Sequence, residues 1–253
     1  MIKYQLSGPY GKVSLSIVPY VGKYSGNLLM ELMMPNAMAK FSDWALARIS
    51  KELGMSSDEM TLQIEWTDIE KEFATTFTDR TNGVVQTVIF SAPHYMKMYG
   101  LVTNIWQEFL HELTHAVQRH TMGMNYDTVP RWWREGCALY VARPQGDVRV
   151  FNHYVVASYP TERLITNLMI PDDEFGPVNY PESYLALVYL RTKWGEKIIR
   201  TINRNLNSGK MTNGFVSVLE EQTGMSMETF GVNAGAFALD KMKKWNFLRR
   251  KVN

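Results

Sequence analysis

Asn104-Ile105-Trp106-Gln107-Glu108-Phe109-Leu110-His111-Glu112-Leu113-Thr114-His115-Ala116-Val117-Gln118-Arg119-His120 decides how the rest of this 253-residue chain is understood. Ile105, Phe109, Leu113 and Val117 recur every four residues and draw an apolar stripe down one side of a helix. Four residues advance a helix by about 400°, so His111 and His115 fall on one face, a turn apart and roughly opposite the stripe. Two imidazoles so placed can reach one ion, and zinc accepts their nitrogens at about 2.0–2.1 Å. Glu112 stands beside His111, where a carboxylate can act as base on water polarised by the metal. The spacing predicts a helix over 104–120 with an apolar back and a metal-binding front.

Two histidines do not complete a zinc site, and the search for a third ligand runs forward along the chain. A metzincin pattern needs His six residues after His115 and Gly three after it, but Thr121 and Gln118 stand there. Asp127 has none of the aspzincin surroundings. Glu135 lies in Pro130-Arg131-Trp132-Trp133-Arg134-Glu135-Gly136-Cys137-Ala138-Leu139-Tyr140, which resembles the second-helix motif of the gluzincin zinc peptidases. That resemblance implies Glu135 as the third metal ligand. Gly136, Ala138 and Ala142 carry little bulk, which would let this helix approach the first closely, and Pro130 suits a helix start.

The likeness continues. Tyr180-Pro181-Glu182-Ser183-Tyr184-Leu185-Ala186-Leu187-Val188-Tyr189-Leu190, ending at Trp194-Gly195, is similar to the third helix of peptidase-MA-like gluzincins. In that family a Tyr near the helix start donates a hydrogen bond to the tetrahedral intermediate, which implies Tyr180 here, with Tyr184 one turn on as the alternative. Thr223-Gly224-Met225-Ser226-Met227-Glu228-Thr229-Phe230 resembles a recurrent C-terminal element of the same group, with a packing role. The resemblance covers about residues 104–240. It implies Zn²⁺ as cofactor, Glu112 as general base and a peptide or protein substrate presented along an edge strand, for which Val84–Ser91 is the candidate. The chain lacks an aminopeptidase-type motif ahead of the metal helix, so the expected action is that of an endopeptidase.

Outward from the metal helix, Val13, Leu15 and Ile17 alternate with polar residues as a half-buried strand does, and Met60, Leu62, Ile64 and Trp66 do the same. Met38, Phe41, Ala45, Ile49 and Leu53 recur at helical spacing up to Gly54. Strand-like runs follow at 73–78 and 84–91, and Pro93 closes that region. Further helices are expected near 131–142, 181–194, 196–207, 212–222 and 234–250. The fold class is therefore α+β, and zincin-like on the strength of the resemblance. A mixed-sheet N-terminal lobe, 1–122, carries the metal helix, and a mostly helical C-terminal lobe spans 123–253.

Composition sets the remaining bounds. A net charge of +2 argues against a protein that coats nucleic acid, and one cysteine, Cys137, excludes a disulfide framework. Cys137 lies about 200° round the helix from Glu135 and is expected to be a buried small residue facing away from the metal. His94, His120 and His153 are expected at the surface. No run is apolar and long enough to span a bilayer, and Met1–Tyr20 lacks a secretory pattern, so a cytoplasmic location is expected. An alternative function is a non-catalytic zinc-binding or partner-binding module. It would use the basic tail of Lys241, Lys243, Lys244, Arg249, Arg250 and Lys251, interleaved with Trp245, Phe247 and Leu248.

Overall fold

A computed structural model describes residues 1–26, 34–69, 74–81, 83–97, 102–143, 168, 171–176, 179–207 and 214–252, with the backbone alone at 97, 102–105 and 242–252. The chain divides into two compact units, Met1–Tyr126 and Asp127–Asn253. It is α+β: the first unit is built on a mixed five-stranded sheet and the second is helical among its described residues.

In the first unit the elements run β1 (Ile2–Gly8), β2 (Gly11–Ile17), α1 (Pro35–Leu53), β3 (Met60–Thr67), β4 (Ala74–Asp79), β5 (Val85–Ser91), α2 (Ala92–Lys97) and α3 (Val102–Met122). The strand order is β1-β2-β3-β5-β4. β2, β3 and β5 are parallel, while β1 and β4 lie antiparallel at the two edges. β5 therefore pairs on both sides, which corrects the expectation that Val84–Ser91 is an edge. The edge beside it is β4. Buried Gln86, Thr87, Val88, Phe90 and Ser91 mark β5 as interior, as near-continuous burial does for a parallel strand covered on both faces.

Sheet and helices meet through aromatic and aliphatic side chains. Leu15, Ile17, Leu62, Ile64 and Val88 are buried, as are Met38, Leu46 and Ile49 of α1. Phe90 of β5 stacks on Phe109 of α3 with centroids 5.0 Å apart, and Phe41 of α1 meets Phe109 edge-on at 5.2 Å. Phe109, Leu113 and Val117 are at most 1% exposed, so the described part of the α3 stripe is a core face. α3 lies against β4 and β5, and this fixes which strands its other residues can reach. α1 stops where expected: Gly54 adopts the left-handed conformation, φ 67°, and its N–H donates to the Ser50 carbonyl. Pro93 does not end the region but falls in the first turn of α2, where its missing N–H costs no helical bond.

In the second unit the helices are α4 (Arg131–Ala142), α5 (Asn179–Trp194), α6 (Ile198–Asn207), α7 (Gly214–Thr223) and α8 (Met227–Val252). α4 is its centre, buried from Trp132 to Ala142. Trp132 packs on Phe230 and Phe215, while Trp133 donates its indole N–H to Asn203 Oδ1 at 3.0 Å. α4 packs along α5, and the space at Gly136 serves this crossing. A Cβ there would stand 2.8 Å from the Ser183 carbonyl oxygen and from Leu187 Cδ2. α8 begins at Met227, earlier than periodicity indicated, and its backbone is helical through the basic tail. The tail side chains beyond Lys241, and His153, lie outside the described residues. Among the described residues no helix is long and apolar enough to cross a membrane.

Candidate metal centre

The histidine pair of α3 is built as its spacing requires. His111 and His115 are each 7% exposed, and their Nε2 atoms stand 3.1 Å apart. His115 Nδ1–H donates to Gln118 Oε1 at 2.9 Å, with the Tyr126 hydroxyl at 3.4 Å from the same nitrogen. This bond selects the tautomer: with its proton on Nδ1, neutral His115 presents a lone pair at Nε2. The Tyr126 ring is held in turn, because the Arg119 guanidinium lies over it at 4.1 Å.

Glu112 is fixed from the edge strand. Alternation along β4 turns Ala74, Thr76 and Thr78 inward and Thr75, Phe77 and Asp79 outward. Because α3 lies against β4, the Thr76 hydroxyl reaches Glu112 and donates to its Oε2 at 2.9 Å, with the Glu112 carbonyl oxygen at 3.3 Å. A carboxylate receiving this bond has one oxygen and one rotamer defined by the strand.

Glu135 and Tyr180 belong to the second unit and meet through Arg131. Glu135, one turn after Arg131 on α4, is 9% exposed. Arg131 Nε–H donates to Glu135 Oε1 at 3.4 Å, and its Nη2–H donates to the Tyr180 hydroxyl at 3.4 Å. Its Nη1–H donates to the Asp172 carbonyl at 3.0 Å, and Phe175 lies 4.8 Å from the guanidinium carbon. Burial alone would lower the Arg131 pKa, but Tyr180 and Glu135 outweigh it and the net shift is upward. The cation is therefore permanent at any working pH.

The two tyrosines separate by burial. Tyr180 is half-buried at the second position of α5, whereas Tyr184 is 2% exposed and belongs to the core. Cys137 is fully buried, and burial pushes its thiol pKa upward against a smaller opposing pull from Asn203. A thiol in that state is not a nucleophile. His120 is partly exposed, with Nε2 at 2.9 Å from the Asp58 carbonyl, and the His94 backbone N–H donates to Ser91 Oγ.

Four contributors escaped the sequence: Thr76, Gln118, Tyr126 and Arg131. Gln118 had a usable signal, since residues three apart on a helix are neighbours. Arg131 sat in view one turn before Glu135. Thr76 and Tyr126 had none, because their roles depend on which strand and which turn pack against α3. No family model matches the chain, and no curated protein matches it.

Proposed function

We propose that the chain is a zinc-dependent peptidase of the gluzincin type, with His111, His115 and Glu135 as metal ligands, Glu112 as general base and Tyr180 as oxyanion donor. The observation that carries this is the pair of buried Nε2 atoms 3.1 Å apart, with one imidazole already locked in the ligating tautomer. Two nitrogens at 2.0–2.1 Å from one tetrahedral zinc are about 3.4 Å apart, so the pair already stands close to the separation one zinc requires. Glu135 joins them in this proposal as the third ligand. Two imidazoles and one carboxylate are the donor set of a catalytic zinc site rather than a closed structural one.

Zinc, when bound, supplies Lewis-acid polarisation of a carbonyl oxygen and acidifies water. The chain's own residues do the rest. Glu112 accepts a proton from the attacking water as the water oxygen bonds to the scissile carbonyl carbon. It then returns that proton to the nitrogen as the carbon–nitrogen bond breaks. Thr76 holds the carboxylate in place while it does so. Tyr180 accepts from Arg131 and so keeps its own O–H to donate where negative charge develops. β4, as the edge strand beside α3, replaces β5 as the candidate to pair with an extended substrate backbone.

The test is metal content by mass spectrometry for the wild type, His115→Ala and Glu135→Ala, followed by hydrolysis of a peptide library with Glu112→Gln as control. The expected result is near one zinc per wild-type chain, lost in both alanine variants. Glu112→Gln should keep the metal and lose about 10²–10⁴-fold in rate. A wild type that takes up no zinc at neutral pH would overturn the proposal.

A further inference from the structure

Arg131 is more than one half of a surface ion pair. An ordinary ion pair between residues four apart on an exposed helix uses one end of a mobile side chain. Here every guanidinium nitrogen is engaged, each in a different direction: Nε with Glu135, Nη1 with the Asp172 carbonyl and Nη2 with the Tyr180 hydroxyl. Phe175 covers the guanidinium at 4.8 Å and meets the Tyr180 ring edge-on at 5.2 Å. A planar fork with a partner on each nitrogen and an aromatic ring beside it is restrained in several directions at once.

We propose that Arg131 is a positioning residue that holds the Glu135 carboxylate and the Tyr180 phenol as one unit, so that metal loading and placement of the oxyanion donor are coupled. This rests on the zinc-peptidase proposal above and adds the device that joins two of its residues. The chemistry requires a fork and not only a charge. A lysine ammonium is a single point donor and cannot direct three bonds along the in-plane axes of a guanidinium. Outer partners of metal ligands are the groups that tune affinity, because a ligand that must first be ordered binds more weakly. Asp172 is the anchor of the device: its carbonyl accepts from Arg131 while its carboxylate pairs with Arg134, so one loop residue is tied to α4 twice.

The experiment is competition for zinc between the full-length protein and a chromogenic chelator, run on the wild type, Arg131→Gln, Arg131→Lys, Tyr180→Phe and the double variant Arg131→Gln/Tyr180→Phe. Arg131→Gln is expected to weaken zinc binding about 10–100-fold, and Arg131→Lys to fall with it rather than with the wild type. Tyr180→Phe, which is no metal ligand, is expected to weaken zinc severalfold on its own and to add nothing in the Arg131→Gln background. Such non-additivity is the signature of a shared element. The absorption bands of the cobalt-loaded protein should shift in the Arg131 variants, which a merely structural loss would not cause. Thermal unfolding of the metal-free forms checks that each variant is folded, and Arg131→Lys carries the test if Arg131→Gln is not. Wild-type zinc affinity in a folded Arg131 variant, or independent effects of the two substitutions, would overturn the coupling alone. A wild type that holds no zinc would overturn it together with the peptidase proposal.

Discussion

Replacing Gln118 with Leu tests the candidate metal centre at the point where geometry sets the magnitude. Gln118 is fully buried, and its Oε1 accepts the His115 Nδ1–H at 2.9 Å. Leucine fills similar volume, so the change removes a bond and leaves the packing nearly intact. Two costs follow. A buried N–H deprived of its acceptor costs about 1–3 kcal/mol, moderated by the Tyr126 hydroxyl at 3.4 Å, which can move in as a partial substitute. The tautomer is also released: when the His115 proton is free to occupy Nε2, that nitrogen must lose it before it can bind a metal. Loss of such an outer partner costs about 10–100-fold in metal affinity, or about 1.4–2.8 kcal/mol.

The assay is chelator competition at neutral pH beside thermal unfolding of the metal-free protein. Gln118→Leu should weaken zinc binding by that factor, and adding Tyr126→Phe should deepen the loss because the substitute acceptor goes with it. Gln118→Glu has the opposite expected sign for the metal: a carboxylate on Nδ1 raises the basicity of the ligating nitrogen and keeps zinc at least as tight, although burying it destabilises the metal-free chain. If Gln118→Leu and Gln118→Leu/Tyr126→Phe both hold zinc like the wild type while folded, His115 is not a ligand through Nε2. The assignment built on the histidine pair then fails.

Two further expectations are independent of Gln118. Thr76→Val removes the hydroxyl that positions Glu112 while keeping a β-branched side chain on β4, so kcat should fall about tenfold, with KM and zinc content little changed, and Thr76→Ser should restore most of it. Equal kcat in Thr76→Val would show that the strand does not position the base. Gly136→Ala places a Cβ 2.8 Å from the Ser183 carbonyl at the α4–α5 crossing, an overpacking cost of about 1–3 kcal/mol, of which better helix propensity returns at most about 1. A melting temperature lower by several degrees is expected, and an unchanged or raised one would mean that the crossing yields readily.

Most of the fold was legible because its signals are local. Alternation at Val13, Leu15 and Ile17 and at Met60, Leu62, Ile64 and Trp66 marks β2 and β3, and the αL glycine at Gly54 ends α1. β1 was missed because its residues are half-buried or exposed, so no apolar period writes it into the sequence; it is held by pairing with β2. Sheet order was also out of reach. Val85–Ser91 and Ala74–Asp79 are both short runs rich in Val, Thr and aromatic residues, and nothing local distinguishes the strand with two neighbours from the strand with one. The difference matters to the proposed function, because only an edge would have backbone donors and acceptors to offer a peptide.

The site shows the same division between what a helix repeats and what the fold brings together. His111, Glu112 and His115 could be placed from spacing alone, since one helix fixes their mutual geometry whatever surrounds it. Glu135 and Tyr180 came by resemblance, and what joins them is a third residue that no spacing rule selects. Arg131 is one turn before Glu135 but 49 positions before Tyr180 in the chain, and it meets the phenol only because α4 packs along α5. Thr76 is likewise separated from Glu112 by 36 positions and reaches it only because β4 is the strand beneath α3. In both cases the residue proposed to bear the chemistry is readable from the sequence, while the residue that contacts it is set by tertiary packing. Substitutions at Thr76, Gln118 and Arg131 are therefore expected to change rate or metal affinity while leaving every recognisable motif intact.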